Sequence, residues 1–468
     1  MTFQIYSFLF ILIAVAGFYL IAPKYRYGFL TAASAVYCGL QDPYALAVLA
    51  GVTIAAYGAG CLIGTIADER VILRKVVLAV SVGFFVALFV LWKYFSDAGD
   101  FFLLAMPLGF SYYGFQSVSY LADIYDKKID HEKNIIRLTL YLAWFPKFIS
   151  GPIERAGGFV PQIYELDRVK LFDGKRIIRA MSYILWGLFM KLMIADRAAL
   201  VVSGVFDEYE EYGSLMLVIG SLLYTIQIYC DFAGYTDIAI GISSLFGLEL
   251  TQNFKTPYFS ENIVEFWRRW HISLSTFLRD YIYIPLGGNR KGSVRKYLNI
   301  MIVFLICGFW HGKGRRYIAW GLLHGIFSVV TNILKKTKLG FFFRGAMGTV
   351  ITFCVVSFGW ILFRAGSWEM FLGYSSSIFT GPCVNTAFMD ELMMTGVSLV
   401  QVVILLLAVG ILAGCDLYTH RKETLLPEVL IKTGEIKRNI CLLVMAVVIL
   451  VFGVYGDQEI RNFIYMDF

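Results

Sequence analysis

The sequence predicts an all-α polytopic membrane protein, and three observations carry the prediction. Hydrophobic side chains make up 58% of the 468 residues and charged ones 16%, against about 25% charged in a soluble domain. Mean hydropathy is +0.68. Apolar runs recur from Ile5 to Gly456 with no Ser/Gly/Pro-rich linker between them, so residues 1–468 read as a single membrane-embedded domain rather than several soluble ones. Disorder and an ordinary water-soluble enzyme are excluded.

A bilayer core of ~30 Å needs about 20 apolar residues per helix. The clearest runs of that kind are 5–22, 44–67, 76–92, 101–122, 214–230, 317–334, 348–363, 397–414 and 440–455. Runs 27–41, 138–149, 177–194, 238–250 and 298–310 are shorter or carry a charge and suit tilted, re-entrant or buried helices. The expectation is about eleven spans with a few partial helices. The first run lacks a basic leading region, is too long for a signal-peptide core and ends on Lys24 and Arg26, so it reads as a retained first span. Short basic loops (Lys24 and Arg26; Arg70, Arg74 and Lys75; Lys127, Lys128, Lys133 and Arg137; residues 251–316) are expected in the cytoplasm. The acidic group Asp207, Glu208, Glu210 and Glu211 then faces outward, as does the N-terminus.

Net charge is +7, but its placement says more than its total. Residues 251–316 hold eleven basic and three acidic side chains, and the rest of the chain, with 30 basic against 31 acidic, is almost neutral. Such a local excess suits anionic lipid heads, a phosphate-bearing substrate or an acidic carrier protein. The eight cysteines are scattered without a C-x-x-C pair, so neither a disulfide framework nor a zinc site is indicated.

The basic segment also carries the candidate chemistry. Asn262 with Glu265 three residues on has the form of a helix-starting capping box, and Pro257 and Pro285 bound the helix. Ile263, Trp267, Trp270, Leu274, Phe277, Leu278 and Tyr281 fall in one stripe at ~100° per residue, which predicts an amphipathic helix along the membrane interface. His271 sits on the rim of that stripe, toward Arg268 and Arg279. A half-sheltered imidazole beside cations is one reading; a lipid-facing belt of Trp and Tyr with snorkelling arginines is the other. The turn after Asp280, with Gly287, Gly288, Asn289, Arg290 and Lys291, offers backbone donors and two cations for a phosphate or a pantetheine amide, or is a plain interfacial turn.

The next apolar run ends in Gly308-Phe309-Trp310-His311-Gly312. An ionisable side chain at the edge of a span is costly and so a functional candidate. Neutral His311 is suited to take a proton from a hydroxyl attacking a thioester; an interhelical hydrogen-bonding histidine is the competing reading. His324, one turn after Trp320, reads as packing. Asp231 and Asp237, in or beside a span, must be paired or protonated, orienting a histidine or arginine or bracing a broken helix. No G-x-S-x-G, H-E-x-x-H, G-x-G-x-x-G or P-loop pattern occurs, and His131 in its charged loop lacks a second zinc-ligating histidine.

Four blocks of residues carry a family resemblance: Leu108 to Gln116 (LGFSYYGFQ) with Phe145 to Ile153 (FPKFISGPI); Asp231 to Asp237; Asn253 to Arg290, which includes WRRWHISLS and YIPLGGNR; and Gly308 to Gly312 (GFWHG) with Trp320 to Gly325 (WGLLHG); the terminal Phe463 to Phe468 (FIYMDF) resembles the family's aromatic ending. With these the chain resembles the membrane-bound O-acyltransferases, in the branch of the alginate and peptidoglycan O-acetyltransferases, with a core motif region at 108–325. The resemblance implies about eleven transmembrane helices, plus re-entrant and interfacial ones, around a central tunnel with His311 as the catalytic histidine and His271 as the second. Trp310 and Asp231 would support them, and Arg268, Arg269, Arg279, Asn289, Arg290 and Lys291 would bind the donor. It further implies a multi-pass protein of the bacterial cell membrane that uses acetyl-CoA, with no tightly bound cofactor and no metal. Expected partners are membrane lipid, an extracytoplasmic SGNH-type acyltransferase and, through it, a polysaccharide acceptor, but no nucleic acid. A D-alanyl transferase for teichoic acid served by an acyl carrier protein is the neighbouring alternative. A non-enzymatic polysaccharide exporter is the alternative of another class, although the two related halves common in transporters are not visible.

Overall fold

The computed structural model describes residues 5–95 and 106–455. In chain order its α-helices are α1 (Ile5–Leu20), α2 (Arg26–Gln41), α3 (Pro43–Thr65), α4 (Val71–Phe95), α5 (Phe110–Tyr125), α6 (Ile135–Ala143), α7 (Ala156–Tyr164), α8 (Gly174–Leu188), α9 (Asp196–Asp207), α10 (Ser214–Leu245), α11 (Ile263–Arg269), α12 (Ile272–Leu278), α13 (Gly292–His311), α14 (Arg315–Leu334), α15 (Gly345–Arg364), α16 (Trp368–Thr380), α17 (Phe388–Met394), α18 (Leu399–Lys422), α19 (Leu426–Lys432) and α20 (Glu435–Phe452). No strand occurs among the described residues. The terminal 463–468 block and the start of the 101–122 run lie outside them.

Among the described residues eight helices are long and apolar enough to cross a membrane: α3, α4, a continuous Gly174–Asp207 helix, α10, α13, α14, α15 and α18. Several separately counted runs have merged. Residues 214–230 and 238–250 largely form one 32-residue helix, α10, about 48 Å long at 1.5 Å per residue. Residues 177–194 continue through a π-helical turn, Phe189–Ala195, into α9.

The chain packs as two compact units, Met1–Ala180 with Ala239–Gln252 and Met181–Ile238 with Asn253–Phe468. In the first, Asp42 caps α3 by accepting the Tyr44 N–H, and Asn134 caps α6 by accepting from Ile136 and Arg137. The FPKFISGPI block is buried throughout. Trp144 just before it is fully buried and donates to Ser243 Oγ at 2.8 Å. Buried Lys147 donates to Gln116 Oε1 and, at 2.7 Å, to the Tyr141 carbonyl. An amine enclosed in this way needs such acceptors, because a buried polar group without hydrogen-bond partners is costly.

The second unit holds the histidines of the basic segment. α13 and α14 form a hairpin whose backbones meet: a β-carbon at Gly308 would strike the Tyr317 carbonyl, and one at Gly321 the Phe304 carbonyl. Small residues allow this approach between membrane helices, and it fixes His311 at the tip of the hairpin. A second close approach, Gly187 of α8 against Gly234 of α10, brings the helix carrying Asp231 beside the π-turn.

Candidate active site

The predicted helix from Asn262 starts as expected. Asn262 Oδ1 accepts the Glu265 N–H at 3.1 Å, while the Glu265 carboxylate reaches back to the Glu261 N–H at 3.0 Å, one residue before the cap. The helix then breaks. α11 ends at Arg269, His271 takes a left-handed conformation (φ 44°, ψ 55°), and α12 begins at Ile272. A non-glycine residue with positive φ is uncommon and held by its surroundings. The break ends the single helical face on which the periodicity set His271 toward both Arg268 and Arg279. The apolar stripe survives it: Ile263, Trp267, Trp270, Leu274, Phe277 and Leu278 are all buried within the protein, so they are not a lipid-facing belt.

His271 is fully buried, with the edge of the Phe232 ring at 4.8 Å and the Trp310 ring at 6.1 Å between centroids. Burial pushes its pKa down to about 3, so the imidazole is neutral at pH 7. Trp310 in turn meets His311 at 4.8 Å, and His311, also buried, is closed in by Trp320 at 5.0 Å and Phe363 at 5.2 Å. Trp310 therefore makes ring contacts with both histidines. In such a dry aromatic chamber an imidazole is an uncharged base, and any charge that develops is poorly screened. His324 is held apart in role: its Nδ1 accepts the Trp267 indole N–H at 3.3 Å, which fits the packing role expected of it. His131, in its charged loop, is half-buried.

Asp231 pairs with Lys191 at 2.6 Å, and Lys191 also reaches Asp196 at 2.8 Å, all three buried. The sequence reading missed this lysine. Its signal was present: a charge inside the apolar run 177–194 must find a carboxylate. Removing one member of such a buried set costs about 3–5 kcal/mol, because an uncompensated charge is left behind. Through this pairing Asp231 ties two helices together and braces the one carrying Phe232.

The cationic candidates divide. Arg268 and Arg269 line an open pocket of about 590 Å³ together with Lys255, Glu261, Asn262, Glu265, Asn332, Lys335 and Glu423. Arg269 is tied to Glu265 at 2.9 Å and Glu423 at 3.1 Å, and Lys255 to Glu423 at 2.9 Å. These two cations, Lys255 first, hold the Glu423 carboxyl down to about 2. Arg268 and Lys335 are exposed. Among the described residues the lining does not include Arg279, Asn289, Arg290 or Lys291. Arg279 pairs with Asp280 at 2.8 Å, and the other three side chains are exposed on the turn. That turn spends its backbone donors on itself: Gly287, Gly288 and Arg290 N–H groups bond the Ile284, Tyr283 and Gly287 carbonyls. Buried Asn299 ties it to α13 by donating to the Gly288 carbonyl at 3.0 Å. Lys255, Lys335 and Glu423 escaped the sequence reading because they come from three distant segments. Among the described residues no cluster of three or more His, Cys, Asp or Glu side chains is placed to hold a metal ion.

Comparison with known proteins identifies the class. Relatives along most of the chain are acyl-transferring enzymes, and this chain is a multi-pass membrane acyltransferase of the cell membrane. It belongs to the membrane-bound O-acyltransferase family, which residues 126–367 match. It is 33% identical over 437 residues to the Pseudomonas putida protein named Probable alginate O-acetylase AlgI, covering 90% of this chain and 88% of the relative. It is 36% identical over 292 residues to the peptidoglycan O-acetyltransferase of Helicobacter pylori, covering 57% and 55%. The teichoic acid D-alanyltransferase of Bacillus subtilis is 27% identical over 273 residues, 55% of this chain and 68% of that one.

Proposed function

We propose that the chain, acting as one domain over residues 1–468, takes an acetyl group from a cytoplasmic thioester, acetyl-CoA, and delivers it for O-acetylation of an extracytoplasmic polysaccharide. The observation that carries this reading is the buried aromatic chamber around His311, in a chain similar over most of its length to an alginate O-acetylase. His311 acts as the general base. It takes the proton of an attacking hydroxyl as the oxygen bonds to the thioester carbonyl carbon; the carbon–sulfur bond then breaks and the imidazolium returns the proton to the departing thiolate. His271 and Trp310 complete the chamber, with Asp231 bracing the helix behind it. The donor's phosphates bind at Arg268 and Lys335, beside an Arg269 already neutralised by its two carboxylates. An SGNH-type acyltransferase outside the membrane completes transfer to the glycan.

Purified protein supplied with acetyl-labelled CoA is expected to release or transfer the label. If the label stays on CoA while a D-alanyl carrier protein is consumed, the donor assignment fails and the D-alanyl reading replaces it.

A further inference from the structure

The left-handed turn at His271 has a support that comes from outside its own helices. Asn253, eighteen residues earlier, is fully buried and grips the chain on the C-terminal side of His271 at two points. Its backbone carbonyl accepts the Ile272 N–H at 3.0 Å, and its side-chain Oδ1 accepts the Ser273 N–H at 3.1 Å. These are the first two N–H groups of α12, which lack intrahelical partners. His271 is the residue at which a capping side chain would ordinarily stand, and its own side chain makes no capping bond. Asn253 therefore does the capping in its place, so the imidazole is not used to start a helix and remains among the Phe232 and Trp310 rings.

We infer that Asn253 is a positioning residue for the acyl-transfer site, holding His271 in its left-handed turn and thereby its ring against Trp310. This rests on the reading that places His271 in the reactive chamber. Asn253 does not touch the reacting atoms; it fixes an orientation, and an error of ~1 Å in such a group can cost about 100-fold in rate. Its backbone bond to Ile272 survives any side-chain change, so the side-chain bond to Ser273 can be tested alone.

The experiment measures acetyl-CoA turnover by the purified full chain carrying Asn253→Leu, Asn253→Gln or Asn253→Asp, with His271→Ala in parallel. Asn253→Leu, which removes the acceptor, is expected to lower kcat about 100-fold per folded molecule while leaving KM for acetyl-CoA within about threefold. Asn253→Asp keeps an oxygen at the same place and is expected to restore most of the rate. Should Asn253→Leu fail to fold, Asn253→Gln carries the test: it keeps the amide but moves the acceptor by one methylene, and the same kcat loss is expected. Normal kcat per folded molecule in the folded Leu or Gln variant, with His271→Ala inactive, overturns the inference and leaves the site reading standing. Full activity of His271→Ala overturns the site reading itself.

Discussion

Arg269, held by Glu265 and Glu423 in the lining of an open pocket, and His271, closed in among aromatic rings, stand two positions apart in the chain. The neighbouring regions handle charge in opposite ways. In the pocket the ions stay charged, meet one another and remain in contact with water, where each pair contributes little and salt weakens it. In the chamber burial keeps the His271 imidazole neutral, so a charge formed there during reaction is felt strongly. Under the proposed function, capture falls to one region and chemistry to the other, and that division can be broken at either end.

The largest effect is expected at His311. If the chamber is the reaction site, His311→Ala inserts and folds but loses acyl transfer by 10³-fold or more, the order expected when a general base and its positioning are removed together. Measuring turnover on protein shown to be monodisperse in detergent checks this. Retained transfer would move the chemistry out of the chamber and undo the contrast.

That chamber was only partly legible in the sequence. The Asn262 cap, the apolar stripe and the His311 edge position were readable because each is set by residues a few places apart. The break at His271 was not, because neither glycine nor proline marks it; the residue that stabilises the turn is Asn253, distant in sequence. Lys191 and Asp231, forty residues apart, meet through a glycine contact between helices that no local pattern announces. The same limit hid Lys335 and Glu423 from the pocket and made Arg279 look like its neighbour.

A smaller effect sharpens the claim that the chamber is dry. With a folded-state pKa of about 3 and an ordinary value near 6.5, His271 is neutral in the folded protein where the unfolded chain takes up a proton. The unfolded state thus binds more protons between these values, and stability falls as pH drops from about 6.5 toward 3, by up to about 1.4 kcal/mol per pH unit from this group. Above pH 6.5 its contribution is complete and constant. Thermal unfolding at pH 7 and pH 5 should therefore show a smaller acid-side loss in His271→Gln than in the parent chain. Equal losses would mean that water reaches the imidazole.

The smallest effect belongs to the pocket, and salt distinguishes it from the chamber. Arg268 and Lys335 act as exposed charges, so the double change Arg268→Ala with Lys335→Ala should raise KM for acetyl-CoA several-fold at low ionic strength, on the ~0–1 kcal/mol scale of a solvated ion pair. At 1 M salt, where the screening length is about 3 Å, the difference should nearly vanish. Arg279→Ala is the control: its partner is Asp280 and it is absent from the pocket lining, so KM should be unchanged at both salts. Because the carboxyl of Glu423 is held down to about 2, its pairs with Lys255 and Arg269 persist as pH falls and dissolve only as it passes through that value. The salt response should accordingly be the same at pH 5 and pH 8. A KM that ignores salt in the parent chain, or that shifts equally with Arg279→Ala, would take donor capture away from this pocket while leaving the His311 result untouched.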